Sequence, residues 1–208
     1  MRVLLHMSTS SRIPLPDRRS YGTIARQVKV MSRVRFLRLE WTLSFALIAV
    51  GLAWATLRGL PLASLCRPTA RAIGTGATFG ALLWLVMPVL FWAPGMRHVR
   101  DTVLVPLSRS LRTRDIVVIA LLSGGSEEFF FRGVLMPEIG LGASSVVFGL
   151  LHAVNWVYVA WAALIGAGLG LLATHGGSLV APAVAHATFN LGALLVLRGR
   201  QPPHDTTS

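Results

Sequence analysis

Residues 139–197 read IGLGASSVVFGLLHAVNWVYVAWAALIGAGLGLLATHGGSLVAPAVAHATFNLGALLVL and contain no Asp, Glu, Lys or Arg. An uncharged run of this length is typical of a chain that lies inside a lipid bilayer, where ionisable side chains are costly. It is also long enough for more than two crossings, because one helical crossing needs about 20 apolar residues. The stretch therefore predicts a helical protein embedded in the membrane.

The composition of the whole chain agrees with this prediction. Of its 208 residues, 53% are hydrophobic and only 13% are charged, whereas roughly a quarter of the residues in a soluble domain are charged. Cys66 is the single cysteine, so no disulfide can form within the chain. These features argue against a soluble globule and against a secreted domain stabilised by disulfides.

The formal net charge of +12 resembles that of a nucleic-acid-binding protein, but the distribution of charge does not. Seventeen of the twenty Lys and Arg residues precede position 115. Basic residues concentrated outside an uncharged apolar region are typical of the cytoplasmic loops of membrane proteins. We therefore expect a bacterial-type plasma membrane location, with the lipid bilayer as a partner and no nucleic acid.

Hydropathy predicts an all-α, polytopic membrane protein with about six transmembrane helices, the last four of which form the functional core. Basic residues fall in alternate loops, which predicts that both termini are cytoplasmic. Residues 1–40 are predicted to be a disordered basic cytosolic arm, 41–114 two transmembrane helices with their loops, 115–200 the functional core, and 201–208 a tail. The predicted spans are residues 41–57, 72–93, 116–136, 140–156, 158–174 and 179–197.

A small set of ionisable and amide side chains lies inside the predicted spans, where such residues indicate function. The third span carries three of them, the fourth one, and the sixth two. At 1.5 Å of rise per residue they lie at similar depths, so they are expected to meet in one cluster. In chain order they are Glu127, Glu128, Arg132, His152, His186 and Asn190.

The spacing of these residues along a helix predicts which of them can contact each other. Glu128 and Arg132 are four residues apart, so they share a helix face and can pair. Glu127 points about 100° away, which leaves its carboxylate free. With two imidazoles and an amide, it would suit activation of water and stabilisation of an oxyanion.

Two other interpretations of the cluster stay open at this point. A zinc ion could be bound by Glu127, His152 and His186, because histidine and carboxylate ligands form catalytic zinc sites. The same residues could instead form a polar or proton-relay cluster in a non-catalytic membrane scaffold or small transporter.

Three motifs in this region resemble a known family. The segment Glu127-Glu128-Phe-Phe-Phe-Arg132 resembles an EExxxR motif, Phe148-Gly-Leu-Leu-His152 an FxxxH motif, and the segment from His186 to Asn190 an HxxxN motif. In this order they are similar to the motifs of the CAAX-protease and bacteriocin-processing superfamily of intramembrane endopeptidases. Residues 115–200 are accordingly expected to form a protease core of this type.

The resemblance implies an endopeptidase, either glutamate-type or metal-dependent, that acts on a membrane-associated peptide or protein. It implies that Glu127 and His152 activate water and that His186 and Asn190 stabilise the oxyanion. It also implies that Glu128 and Arg132 support the site, and Phe148 belongs to the second motif. Substrates of the family include prenylated C-terminal peptides, bacteriocin leader peptides and membrane-anchored regulators.

Overall fold

A computed structural model describes residues 32–200, and this part of the chain contains helices and no strand. The α-helices are α1 Arg33–Arg58, α2 Leu62–Leu65, α3 Ala70–Leu90, α4 Pro94–Val99, α5 Val105–Ser110, α6 Thr113–Glu128, α7 Met136–Leu151, α8 Trp156–Gly176 and α9 Val180–Gly199. Two π-helical segments, Arg100–Leu104 and Phe129–Leu135, join α4 to α5 and α6 to α7.

Five helical runs of the described chain are long and apolar enough to cross a membrane. Many large apolar side chains point outward: Leu57, Leu85, Val89 and Leu164, for example, are each between 67% and 83% exposed. Such a surface is unfavourable in water and favourable in lipid. The predicted fold class, a polytopic helical membrane protein, is confirmed.

The third and fourth predicted spans are two limbs of one run, Thr113–Leu151, which bends back on itself at Gly140. Gly140 has φ 82° and ψ 166°, a conformation that only glycine adopts readily. After this bend α7 runs antiparallel to α8, since Leu141 lies against Gly170 while Gly149 lies against Val159. The second limb ends at Leu151, five residues before the predicted end at residue 156.

The first helix also differs from the prediction. It begins at Arg33, where the Ser32 side chain accepts a hydrogen bond from the backbone N–H of Arg35. Residues 33–40 were predicted to belong to a disordered arm, and this boundary is wrong. An ion pair between Arg33 and Asp115, at 2.6 Å, ties the start of α1 to the start of α6. The rest of the arm, residues 1–31, and the predicted tail 201–208 lie outside the described residues.

The bundle has two distinguishable ends. The basic end contains the starts of α1 and α6 and the last turn of α9, where Arg198 donates a hydrogen bond to Thr113. The opposite end contains the exposed pair Arg58–Glu138 and the chain near Cys66, where the Leu65 carbonyl accepts the N–H of Leu179. Both ends of the described chain therefore lie at the basic end.

The bend at Gly140 provides a test of the fold. Gly140→Ala is expected to lower the free energy of unfolding by about 1–3 kcal/mol, because alanine is strained at this backbone conformation. Gly142→Ala is the matched control: neither glycine has another group within 4 Å of an added Cβ, but Gly142 has no positive φ. Thermal unfolding in detergent compares the two. Equal stability of both variants would contradict the bend.

Candidate active site

The predicted residues come together near the middle of the bundle. Glu127 and Glu128 form the end of α6, and Arg132 lies in the π-helical segment that follows. His152 is the first residue after α7, and His186 and Asn190 lie on α9. Short π-helical segments within α-helical runs are frequent at functional sites.

Glu128 is the centre of a buried network. Its side chain is fully buried, and its Oε1 atom accepts hydrogen bonds from Arg132 Nη1 at 2.8 Å and from His186 Nδ1 at 2.7 Å. The predicted pairing of Glu128 with Arg132 is thus present. The bond from His186 was not predicted, because sequence spacing gives the faces of single helices and not the contacts between helices.

Arg132 extends this network to α8 and α7. Its Nη2 donates to the backbone carbonyl of Gly166 at 2.8 Å, and its guanidinium lies 4.7 Å from the centre of the Phe148 ring. The Phe148 ring is also within 4.5 Å of the His152 ring and 5.9 Å of the His186 ring, centre to centre. Phe148 therefore packs between the buried cation and the two imidazoles.

Glu127 faces His152, away from the network around Glu128. Its Oε2 atom lies 3.7 Å from His152 Nε2, which is too long for a direct hydrogen bond. This oxygen is buried and has no hydrogen-bond partner among the described residues. The separation is short enough for one water molecule to contact both atoms.

The orientation of His152 follows from its second nitrogen. Nδ1 lies 2.8 Å from the backbone carbonyl of Phe148, one turn earlier. A carbonyl oxygen can only accept, so Nδ1 carries the hydrogen and Nε2 of the neutral ring carries a lone pair. The face of His152 directed at Glu127 is therefore basic.

Asn190 is positioned by a residue that the motifs do not contain. Its Nδ2 donates to the buried Ser123 hydroxyl on α6 at 2.9 Å. Ser123 lies one turn before Glu127 in a Ser-Gly-Gly-Ser stretch, whose small residues let α9 approach. Gly124 lies directly against Ala183 and Ala187 of α9.

A cavity of about 50 Å³ opens beside His152, His186 and Asn190, and Glu127 is not among the residues that line it. It has room for water, since a single water molecule occupies roughly 30 Å³ of liquid volume. Four predicted residues line it together with apolar and aromatic side chains. Its polar lining consists of His152, His186, Asn190, Tyr158 and Trp161.

Glu40 on α1 is a further acidic residue near the site. It interacts electrostatically with Glu127 and His186. Glu40 was predicted to be the boundary of the first span, whereas the helix begins seven residues earlier. Ser32, a good N-cap residue, was the signal for that earlier start.

The arrangement does not fit the predicted three-ligand zinc set. Among residues 32–200, no group of three or more His, Cys, Asp or Glu side chains is placed to hold a metal ion. Glu127 and His152 face each other, while Nδ1 of His186 is directed at Glu128. Zinc binding therefore stays a prediction from the sequence.

Comparison with known proteins shows a family to which the segment around the site is similar. Residues 110–192 match the family model described as "Type II CAAX prenyl endopeptidase Rce1-like". This segment of the chain is therefore similar to an Rce1-like domain. The matched segment contains all three motifs, and the resemblance drawn from them is confirmed for this region.

A curated relative and the solved structures add little to this assignment. The chain is 29% identical over 120 residues to the "Uncharacterized protein YpbD" of Bacillus subtilis (strain 168). The match covers 56% of this chain and 64% of the relative's length. No solved structure matches the chain.

The network around Glu128 predicts a large stability difference between two arginine substitutions. Arg132→Met should lower the free energy of unfolding by about 3–5 kcal/mol, because it leaves a buried carboxylate without its cation. Arg58→Met removes the 3.0 Å pair with Glu138, in which the Arg58 side chain is 58% exposed. That change should cost no more than about 1 kcal/mol. Chemical unfolding in detergent measures both, and similar losses would contradict the assigned role of Arg132.

Proposed function

We propose that this protein is an intramembrane endopeptidase of the glutamate type, acting on a membrane-associated peptide or protein. The match of residues 110–192 to the Rce1-like family model supports protease activity of the CAAX type. The finer assignment rests on one observation, the basic face of His152 directed at an unpartnered carboxylate oxygen of Glu127 across 3.7 Å. Two acceptors at this distance, of which His152 lines the cavity, suit a water molecule that donates a hydrogen to each.

In the first step, this water attacks the substrate carbonyl. One water proton moves to the Glu127 carboxylate, while His152 Nε2 accepts a hydrogen bond from the other O–H and orients it. The water oxygen bonds to the carbonyl carbon, and the π electrons of the C=O bond move onto its oxygen. His186 and Asn190 line the same cavity and are the proposed neighbours of this oxyanion.

In the second step, the tetrahedral intermediate collapses. The oxyanion re-forms the carbonyl, the C–N bond breaks, and the leaving nitrogen takes the proton that Glu127 had received. The products are a carboxylic acid and an amine, and Glu127 returns to its ionised form. Glu128 and Arg132 take no part in these proton transfers, since they pair with each other and with His186.

The proposed role of Glu127 can be tested by cleavage. Glu127→Gln keeps the shape of the side chain but removes its ability to take a proton, so cleavage should fall by at least about 10²-fold. The purified full chain in liposomes is assayed on a panel of membrane-tethered peptides, with and without a C-terminal prenyl group. Metal content is measured in the same preparations.

Glu138→Gln is the matched control, because Glu138 pairs with Arg58 at the opposite end of the bundle. Its cleavage rate should equal that of the wild type. If Glu127→Gln also cleaves at the wild-type rate, Glu127 has no part in the mechanism. Absence of cleavage by the wild type on every peptide would favour the scaffold or transporter alternative.

We also propose that the basic end of the bundle faces the cytoplasm, in a bacterial-type plasma membrane. Three arginines lie towards the opposite end, at positions 58, 67 and 71. Ten lie towards the basic end or in the α3–α6 connection, at positions 33, 35, 38, 97, 100, 109, 112, 114, 198 and 200. An excess of this kind marks the cytoplasmic side.

Cys66 allows a test of this orientation. It is the single cysteine, it is exposed, and it lies at the opposite end of the bundle. A membrane-impermeant maleimide should label it in intact cells or right-side-out vesicles. Partial burial raises the pKa of the Cys66 thiol, so labelling should be faster at mildly alkaline pH than at pH 7.

The control moves the thiol to the basic end. The double variant Cys66→Ser, Ser110→Cys removes the natural cysteine and places a new one at Ser110, an exposed residue at the end of α5. This variant should be labelled only after permeabilisation. The reverse pattern of labelling would overturn the proposed orientation.

A further inference from the structure

The oxyanion of the proposed reaction needs hydrogen-bond donors, and two expected donors are partly committed elsewhere. His186 uses its Nδ1 hydrogen on Glu128, which leaves only its Nε2 atom for the cavity. Asn190 uses one of its two Nδ2 hydrogens on Ser123. Each residue of the HxxxN motif thus has one donor position already in use, and oxyanion sites generally combine more than one donor.

Tyr158 brings another donor to the same cavity. Its side chain lines the cavity together with His152, His186 and Asn190. Tyr158 lies in the first turn of α8, where its backbone N–H donates to the Asn155 side chain at 2.8 Å. Asn155 in turn donates to the carbonyl of Gly95 at 3.0 Å, which anchors this turn to the chain at the start of α4.

The Tyr158 hydroxyl is available for a ligand. Within residues 32–200, no side-chain hydrogen bond engages it, and the side chain is half-buried. The phenol also interacts electrostatically with Glu127. The titratable groups that share its surroundings are Glu127 on α6, His152 after α7 and His186 on α9.

We infer that Tyr158 is a further catalytic residue, whose O–H donates a hydrogen bond to the substrate oxyanion alongside the second Nδ2 hydrogen of Asn190. The inference rests on the proposed endopeptidase function. As the water oxygen bonds to the carbonyl carbon, the carbonyl oxygen gains the π electron pair and accepts these two hydrogen bonds. Tyr158 keeps its proton throughout, and the proton taken from water stays on Glu127 until the leaving nitrogen receives it.

Tyr158→Phe removes only the hydroxyl and tests the inference directly. In the full chain in liposomes, kcat should fall about 10²–10³-fold, as found when one oxyanion donor is removed. KM should change little, because the lost bond forms mainly in the transition state. Glu138→Gln, at the opposite end of the bundle, is the control and should cleave like the wild type.

Glu127→Gln in the same assay separates the two claims. If Glu127→Gln is inactive while Tyr158→Phe keeps the wild-type kcat, the protease proposal stands and the role of Tyr158 is overturned. If Tyr158→Phe raises KM with kcat unchanged, Tyr158 binds substrate and does not stabilise the oxyanion, which also overturns the inference. If Glu127→Gln cleaves like the wild type, the proposed function fails and the role of Tyr158 fails with it.

Discussion

A buried ion pair constrains the centre of this molecule. Glu128 is fully buried and Arg132 nearly so, and their 2.8 Å contact keeps two charges in a region that is otherwise apolar. Desolvation of two such charges is costly, so the arrangement persists only if further hydrogen bonds satisfy them. His186 supplies one bond to Glu128, and the Gly166 carbonyl accepts one from Arg132. These bonds hold α6, the π-helical segment, α8 and α9 in one register.

The same constraint gives the two adjacent glutamates different surroundings. Glu128 accepts hydrogen bonds from Arg132 and His186 through Oε1. The Oε2 atoms of both glutamates lack a hydrogen-bond partner among the described residues, but that of Glu127 faces His152. The bend at Gly140 is what brings His152 there, because it turns α7 back alongside α8. The Glu127 carboxylate is therefore held close to His152, and its Oε2 atom forms no hydrogen bond with a described residue. A group of this kind can exchange a proton with a bound water.

Much of this arrangement could be predicted from the sequence. The uncharged run indicated membrane helices, and four-residue spacing indicated the Glu128–Arg132 pair, because both depend on local periodicity. The bond from His186 to Glu128 and that from Asn190 to Ser123 could not be predicted, since they depend on how separate helices pack. The helical start at Arg33 was missed because hydropathy stopped at Glu40, whereas the Ser32 cap and the Arg33–Asp115 pair set the true boundary.

The central claim is that Glu128 stabilises the fold and Glu127 does not. It is tested most directly by the unfolding midpoints of Glu127→Gln and Glu128→Gln, measured in one detergent. Glu128→Gln should unfold several degrees lower than the wild type, because it leaves the buried Arg132 cation without its counter-ion. Glu127→Gln should unfold within about 1–2 °C of the wild type, since its Oε2 atom has no hydrogen-bond partner among the described residues. If Glu127→Gln is destabilised as much as Glu128→Gln, Glu127 is part of the structural network and the account is contradicted.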